Sequence, residues 1–259
     1  RKVVTASSQA VYGEGKYLCS ECGPCYPQPR SAAQMARREW EVRCPKCQAP
    51  LKPVPIDVDA PVKLNGIYHI TKYFEETLTL ALGRDWGIPT VALRYMLTYG
   101  PRQSVFNPYT GICSIFSTRI LNGVSPVVYE DGAQTRDFVF VEDVARANIA
   151  VLDSDAANHR VFNVGTGVAT SIADFARYLA AAYGSSIEPS MPGEFRPMDF
   201  RHLVADNSAL KSLGWAPQVP IRDGVNRYAQ WILSLKRPAE YFTQAEAVLK
   251  KLRIVRQAN

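Results

Sequence analysis

The chain has 259 residues, a formal net charge of +6 and an apolar fraction of 47%, which are ordinary values for a globular protein with a sizeable core. Its apolar runs are too short to cross a bilayer, and its first residues do not form a secretory signal, so we expect a cytoplasmic protein with no membrane partner. Because Lys and Arg are scattered rather than clustered, nucleic acid is disfavoured as a partner and an anionic small molecule is favoured.

Strand and helix patterns alternate along most of the chain. In chain order they predict a strand at 2–7, a Cys- and Pro-rich stretch at 19–61 with a short helix at 32–40, a helix at 67–82, a strand at 90–95, helices at 112–121 and 141–152, and a strand at 161–164. A capped helix from 171 and helices at 207–213 and 221–235 follow, before a basic helical tail. Such alternation predicts an α/β fold with a largely parallel sheet.

Clustered cysteines indicate a metal site. Cys19 and Cys22 form one CxxC pair, and Cys44 and Cys47 form a second pair 21 residues later, just beyond the spacing typical of four-cysteine zinc ribbons. Four thiolates on two tight turns suit tetrahedral zinc and leave no open coordination position, so the predicted zinc is structural. Cys25 is an alternative ligand to Cys19 or Cys22, whereas the remaining cysteine, at position 113, is expected to be a buried thiol.

A phenol and an ammonium group form a candidate proton-transfer pair. Tyr68 and Lys72 lie four residues apart, and therefore on one face of the helix predicted at 67–82. A fixed cation near a phenol favours the phenolate, so the pair can act as a general base towards a hydroxyl group. Since such pairs also arise by chance in amphipathic helices, their meaning depends on the surrounding motifs.

Five further motifs surround this pair in a definite order. They are SSQAVYG at 7–13, LRYMLTYGPR at 93–102, RDFVFVEDV at 136–144, NVGTG at 163–167 and RPMD at 196–199. Together with the Tyr68 pair, the set resembles the extended short-chain dehydrogenase/reductase family, specifically its NAD-dependent nucleotide-sugar epimerases and dehydratases. The resemblance covers nearly all of the chain outside the cysteine-rich stretch and the last twenty or so residues.

The resemblance implies three catalytic residues. Ser8 matches the family's catalytic Ser/Thr, which hydrogen-bonds the reacting hydroxyl group. Tyr68 matches the catalytic base. Lys72 matches the residue that lowers the pKa of that tyrosine and holds the nicotinamide ribose, so Tyr68 and Lys72 are also the expected contacts to NAD.

It also implies three substrate-binding residues. Arg136 and Arg196 match two arginines that bind the substrate diphosphate, a task suited to a planar bidentate cation. Asp199 matches a carboxylate near the nucleoside ribose. One departure from the family pattern is Leu97, which stands where the family usually has an asparagine, so one polar substrate contact is missing.

The residues after Ser8 indicate which reaction is favoured. Family members that dehydrate or decarboxylate the sugar carry acidic residues there, whereas this chain has Gln9 and Ala10, which cannot exchange a proton at neutral pH. The resemblance then implies a 4-epimerase-like reaction of a nucleotide-diphosphate sugar through a transient 4-keto sugar. NAD would carry the hydride.

The predicted organisation combines these elements. Residues 1–18 and 62–165 would form the C-terminal part of a doubly wound Rossmann-type sheet, residues 19–61 a zinc-ribbon-like insert, residues 166–236 a smaller substrate-binding α/β subdomain, and residues 237–259 the tail. The family's Gly-rich cofactor turn does not occur in these 259 residues. We therefore expect a fragment of a longer product, a degenerate relative, or a partner that supplies the missing part in trans.

Two further expectations concern class and partners. Because the cofactor turn is missing, an alternative to catalysis is a non-catalytic binding protein that uses the zinc ribbon as a docking surface. The resemblance also implies a possible homodimer, because family members commonly pair through two long helices, one of which carries Tyr68.

Overall fold

The computed structural model describes residues 1–105, 111–235 and 242–258. The predicted boundary between substrate subdomain and tail, at 236 and 237, lies outside these residues. Within them, no helix is both long and apolar enough to cross a membrane.

Most of the predicted elements are present, together with several short strands. The strands are β1 (Val3–Ser8), β2 (Lys16–Cys19), β3 (Gly23–Cys25), β4 (Lys52–Val54), β5 (Thr90–Tyr95), β6 (Leu97–Tyr99), β7 (Thr135–Phe140), β8 (Arg160–Val164), β9 (Ala169–Ser171), β10 (Glu194–Phe195), β11 (His202–Leu203) and β12 (Arg256–Gln257). The α-helices are α1 (Ala32–Ala36), α2 (Ile67–Asp85), α3 (Ile112–Leu121), α4 (Val141–Asp153), α5 (Ile172–Ala182), α6 (Ser208–Lys211), α7 (Ile221–Ser234) and α8 (Phe242–Lys251).

A parallel sheet with the order β1-β5-β8 forms the first layer. Along β1, the hydroxyl groups of Thr5 and Ser7 donate to carboxylates of α2, whereas Val4 packs into the core that contains Ala147 and Val151 of α4. Because side chains alternate between the two faces of a strand, α2 and α4 cover opposite faces. The arrangement is therefore wound on both sides, as the sequence predicts.

A second sheet carries the smaller α/β unit. Its order is β11-β7-β6, with β9 paired antiparallel to β7, and α3, α5 and α7 pack around it. Phe138 and Phe175 stack at its centre with ring centroids 3.9 Å apart, and Tyr99 meets both edge-on. This core therefore draws on residues from both sides of residue 165.

The cysteine-rich stretch departs from the main layers directly after β1. It forms an antiparallel sheet in which β2 lies between β3 and β4. The helix predicted at 32–40 is wrong in length, because α1 ends at Ala36 and Arg38 adopts a positive φ of 59°. The helix predicted at 207–213 is likewise shorter, since α6 covers only Ser208–Lys211.

A buried ion pair joins α2 to the sheet. Arg94 of β5 contacts Glu76 of α2 through two hydrogen bonds of 2.6 and 3.0 Å, with both side chains at most 4% exposed. Arg94 also donates to the hydroxyl oxygen of Tyr12, which in turn donates to Asn163. Residues of three separate motifs thus share one hydrogen-bonded network that sets α2 against the carboxyl end of β1.

The outer face of α2 is apolar and exposed. Ile67, Ile70, Phe74 and Leu78 recur at helical spacing, and each is at least 43% exposed. An exposed apolar stripe of this kind is typical of a surface that contacts another protein or another segment.

Candidate functional site

Ser8 lies at the carboxyl end of β1, where a parallel sheet presents its binding residues. Its Oγ accepts a hydrogen bond of 3.2 Å from the amide of Ala10 and so caps the short 3-10 turn Gln9–Tyr12. The residue is 9% exposed. No hydrogen bond donated by this hydroxyl group is seen among the described residues, so its hydrogen is available to a ligand.

Tyr68 and Lys72 lie on the first turns of α2, which packs on β1 and on the turn after it. The ammonium group of Lys72 donates to the carbonyl of Ala6, two residues before Ser8, at 2.8 Å, and pairs with Glu75 at the same distance. Tyr68 is one helical turn earlier and its side chain is exposed. The three predicted catalytic residues thus occupy contacting elements at one end of the sheet.

A cavity of about 280 Å³ lies between the second sheet, α3 and α8. Residues far apart in the chain line it. They include all three predicted substrate-binding residues, Arg136, Arg196 and Asp199, together with Leu97, Tyr129 and Gln134. Leu97 contributes apolar surface, at the position where a polar contact was expected to be missing. We call this cavity the nucleotide pocket, because the resemblance implies that Arg136 and Arg196 bind a substrate diphosphate.

Arg136 is firmly held within this pocket. Its guanidinium donates to Asp199 at 3.1 Å and to the carbonyls of Phe200 and Arg201, and lies 4.0 Å from the centre of the Phe200 ring. These contacts fix a cation, itself 5% exposed, at the pocket wall. Asp199 therefore orients Arg136, in addition to any contact it makes with a ligand.

Arg196 has spare hydrogen-bonding capacity. Its guanidinium lies 5.1 Å from the centre of the Tyr129 ring, and its Nε has no hydrogen-bond partner among the described residues. The same is true of Oε1 of Gln134, a residue that is 5% exposed. Since buried polar atoms are normally paired, these free atoms indicate a pocket that takes a polar ligand.

The four cysteines of the two CxxC pairs come together. The sulfurs of Cys19, Cys22, Cys44 and Cys47 all lie within 4.8 Å of one another. Ligands about 2.3 Å from a tetrahedral zinc ion lie roughly 3.8 Å apart, so the cluster fits that ion. Cys25, the alternative ligand, lies outside the cluster, and Cys113 is buried as expected.

Backbone groups favour the thiolate form of Cys44, whereas the neighbouring sulfur of Cys47 raises the pKa of the Cys22 thiol to about 12. Amides of Cys47 and Lys46 lower the pKa of the Cys44 thiol to about 6. A thiolate that forms readily is the form that binds a metal ion.

A network of charges around the buried side chains of Arg201 and Arg30, next to the pocket, was missed by the sequence analysis. Arg201, which is fully buried, pairs with three carboxylates at 2.6 to 2.9 Å: Glu41, Glu130 and Asp131. Arg30 pairs with Glu130 in a bidentate manner. The partners are up to 160 residues apart, so no local pattern could have revealed the network.

Glu14 is a buried carboxyl group beside this network. Burial raises its pKa to about 7, against the opposing influence of Arg30, the Arg201 amide, the Tyr17 hydroxyl and Arg136. Its Oε1 accepts from the Arg201 amide at 2.6 Å and from Tyr17 at 2.9 Å.

Comparison with known proteins finds a family model that matches part of the chain. Residues 45–165 match the model of the NAD dependent epimerase/dehydratase family, and this range contains Tyr68, Lys72 and Arg136. The match covers just under half of the chain, and in this segment the chain is similar to the family in sequence. Ser8, Arg196 and Asp199 lie outside the matched range.

Three relatives extend the similarity over most of the chain. The chain is 37% identical over 231 residues to dTDP-L-rhamnose 4-epimerase of Burkholderia thailandensis, and the alignment covers 89% of this chain and 62% of the relative. A structure of UDP-N-acetylglucosamine 4-epimerase from Methanobrevibacter ruminantium aligns with a TM-score of 0.71 and 29% identity, over 90% of this chain and 63% of that one. The structure of UDP-glucose 4-epimerase of Thermotoga maritima, solved with UDP-glucose, aligns with a TM-score of 0.66 and 25% identity, over 90% of this chain and 63% of that one.

These structures confirm the predicted Rossmann-type parallel sheet with its helices. The chain spans less than two thirds of the length of each of the three proteins.

The buried carboxyl group of Glu14 predicts a pH-dependent stability. Its pKa is about 7 in the folded protein, above the ordinary value of 4.5, so the folded state binds more protons between these pH values and stability falls as pH rises from 4.5 to 7. Glu14→Gln should remove this decline, as measured by urea unfolding between pH 5 and pH 8. As a control, Glu39→Gln alters an exposed carboxyl group paired with Arg37 and should leave the decline in place.

An equal decline in the Glu14→Gln protein and the parent would show that another group is responsible.

Proposed function

We propose that the protein containing this chain epimerises a nucleotide-diphosphate sugar at C4, with NAD as cofactor and a transient 4-keto sugar as intermediate. The observation that carries the proposal is the nucleotide pocket, in which Arg136, Arg196 and Asp199 line one cavity. The relatives named above support the same reaction class.

The pocket has the chemistry that a nucleoside diphosphate requires. The buried Arg136 supplies a fixed positive charge, and the unpaired Nε of Arg196 offers a further donor to a phosphate oxygen. The free Oε1 of Gln134 can accept a hydrogen bond from a base or a ribose. Apolar residues, including Leu97, line other parts of the cavity.

The proton would move between the sugar hydroxyl and Tyr68. The phenolate of Tyr68 would accept the proton, the ammonium group of Lys72 would stabilise that phenolate, and the hydroxyl of Ser8 would donate to the reacting oxygen. Lys72 uses two acceptors here, Ala6 and Glu75, and its third N–H suits a ribose hydroxyl of the cofactor. When bound, NAD supplies a reversible hydride acceptor.

The neighbours of Ser8 favour epimerisation over elimination. Loss of water from the sugar needs an acid near the leaving hydroxyl, and Gln9 and Ala10 offer none. The same chain can therefore form a keto sugar and reduce it again on the other face without a competing elimination.

Substitution of the proposed base tests the reaction directly. In the protein as its gene encodes it, Tyr68→Phe should lower kcat for interconversion of UDP- or dTDP-sugars by about 10²-fold or more, because the ring is kept but the proton acceptor is lost. Tyr73→Phe, on the same helix, is the matched control and should retain turnover.

Full turnover by Tyr68→Phe contradicts the proposed mechanism. Nucleotide-sugar binding without turnover by the parent protein would instead support the alternative of a non-catalytic binding protein.

We also propose that the four-cysteine cluster binds one structural zinc ion. The support is the close approach of the four sulfurs, which all lie within 4.8 Å of one another. Metal analysis of the purified protein should give one zinc per chain, and Cys44→Ser should lower that content. Cys25→Ser should leave it unchanged, because this sulfur lies outside the cluster. A parent protein without stoichiometric zinc would refute the site.

We further propose that the exposed stripe on α2 is a contact between two copies of the protein. A charge placed within an apolar contact is costly, so Phe74→Glu should shift the sedimentation coefficient from that of a dimer to that of a monomer. Ile149→Glu, which adds the same charge to an exposed apolar residue of α4, is the control. A parent protein that sediments as a monomer would contradict the proposal and favour another chain or segment as the partner.

A further inference from the structure

The residues that line the nucleotide pocket belong partly to one irregular segment, residues 193–203, which we call the substrate segment. It contains Arg196 and Asp199, and its regular structure is limited to β10 and β11. Segments with so little regular structure keep their conformation only through contacts made by their neighbours. The neighbours that make these contacts therefore control the pocket.

The first contact comes from Arg30, which lies between the two CxxC pairs. Its side chain is 1% exposed, and its guanidinium donates to the carbonyl of Asp199 at 3.0 Å while it pairs with Glu130. The carbonyl of Trp40, also in the insert, accepts from the same guanidinium at 2.9 Å. Arg30 thus ties the insert at 19–61 directly to the backbone of a pocket residue.

The second contact comes from Glu41, three residues before Cys44. It accepts two hydrogen bonds from Arg201, of 2.6 and 3.0 Å, and lies 3.4 Å from His202. The carbonyl of Arg201 in turn accepts from Arg136. Glu41, which is three residues from the proposed zinc ligand Cys44, is therefore connected through Arg201 and two hydrogen bonds to Arg136.

The third contact is apolar. Phe195, next to Arg196, packs against Met35 of α1 and lies 6.2 Å, between ring centroids, from Trp40. Both partners belong to the insert. The insert therefore contacts the substrate segment near both of its ends, at Phe195 and Arg201, and in its middle, at Asp199.

Apart from the contacts above and the packing of Ile56 and Ala60 on the main core, the insert depends on a small core of its own. Its buried core consists of a few residues, half of them cysteines: Tyr17, Cys19, Cys25, Val42, Cys44 and Leu51. A module of about 40 residues seldom folds on such a core without a metal ion or a disulfide. In zinc modules, the free energy of metal binding is also the free energy of folding.

We propose that metal binding at the four cysteines controls nucleotide binding, with Arg30 and Glu41 as positioning residues that hold the substrate segment. The proposal rests on the proposed nucleotide pocket and assigns the insert a role in forming it. The metal would act at a distance: it orders the insert, and the insert fixes Arg196, Asp199 and, through Arg201, Arg136.

Two measurements on the whole protein test this role. The protein is studied zinc-loaded, stripped by a chelator, and reloaded with zinc. Binding of UDP and dTDP is measured by calorimetry, and the order of the substrate segment by hydrogen exchange of peptides from 193–205. Stripping should weaken nucleotide binding about tenfold or more and speed exchange in that segment, and zinc should restore both.

Variants separate the positioning contacts from the metal. Arg30→Ala and Glu41→Ala should retain one zinc per chain yet weaken nucleotide binding and speed exchange in the substrate segment. Arg37→Ala is the matched control, because this arginine of the insert is exposed and pairs only with Glu39 among the described residues. Arg30→Ala removes a partner of the buried carboxylate of Glu130, and this variant can therefore fail to fold. In that case Glu41→Ala decides the test, because the side chain of Glu41 is 59% exposed.

Each outcome bears on a different proposal. The role of the insert would be overturned if zinc changed neither the nucleotide affinity nor the rate of hydrogen exchange in 193–205. It would also be overturned if Arg30→Ala and Glu41→Ala behaved like Arg37→Ala. A zinc-loaded protein that binds neither UDP nor dTDP would instead refute the proposed pocket, while exchange in 193–205 would still report whether the metal orders the segment.

Discussion

Buried arginine–carboxylate pairs are the interactions on which the rest of this structure depends. Arg94 and Glu76 join β5 to α2, and Arg201 with its three carboxylates joins the substrate segment to the loops around it. Such pairs gain little net stability over apolar packing, but removal of one partner is costly because a charge remains buried. Their main effect here is on geometry, because each pair holds one structural element in a fixed position relative to another.

The two halves of the site are fixed by different pairs. The Arg94–Glu76 pair holds the helix that carries Tyr68 and Lys72, and its partners Tyr12 and Asn163 belong to the same layer. The nucleotide pocket depends on Arg201 and Arg30, whose partners come from the insert and from the loop before β7. Among the described residues, the contacts that hold the proposed base are therefore separate from those that hold the proposed nucleotide-binding residues.

The sequence predicted the first half better than the second, for a physical reason. The helix with Tyr68, the strands β1, β5 and β8, and the two CxxC pairs follow from local periodicity or spacing, and all are present. The pairing of Arg30 with Glu130 is not local, because the residues are 100 positions apart and each alone is an ordinary surface-type residue. The motif at 196–199 predicted that Arg196 and Asp199 bind a substrate, but it gave no indication of which residues hold them in position. The predicted end of α1 failed because the positive φ of Arg38 has no sequence signal comparable to a glycine.

The position of the insert explains how a remote metal site could matter to a pocket. It leaves the main layer after β1 and returns before α2, so its two ends are anchored by the strand of Ser8 and the helix of Tyr68. Between these anchors its own core is small, and it contacts the substrate segment through a few directional bonds and through the packing of Met35 and Trp40 on Phe195. Directional bonds are lost with small displacements, whereas apolar contacts tolerate them. Under the role proposed for the insert, a change in its order would therefore displace the residues of the pocket.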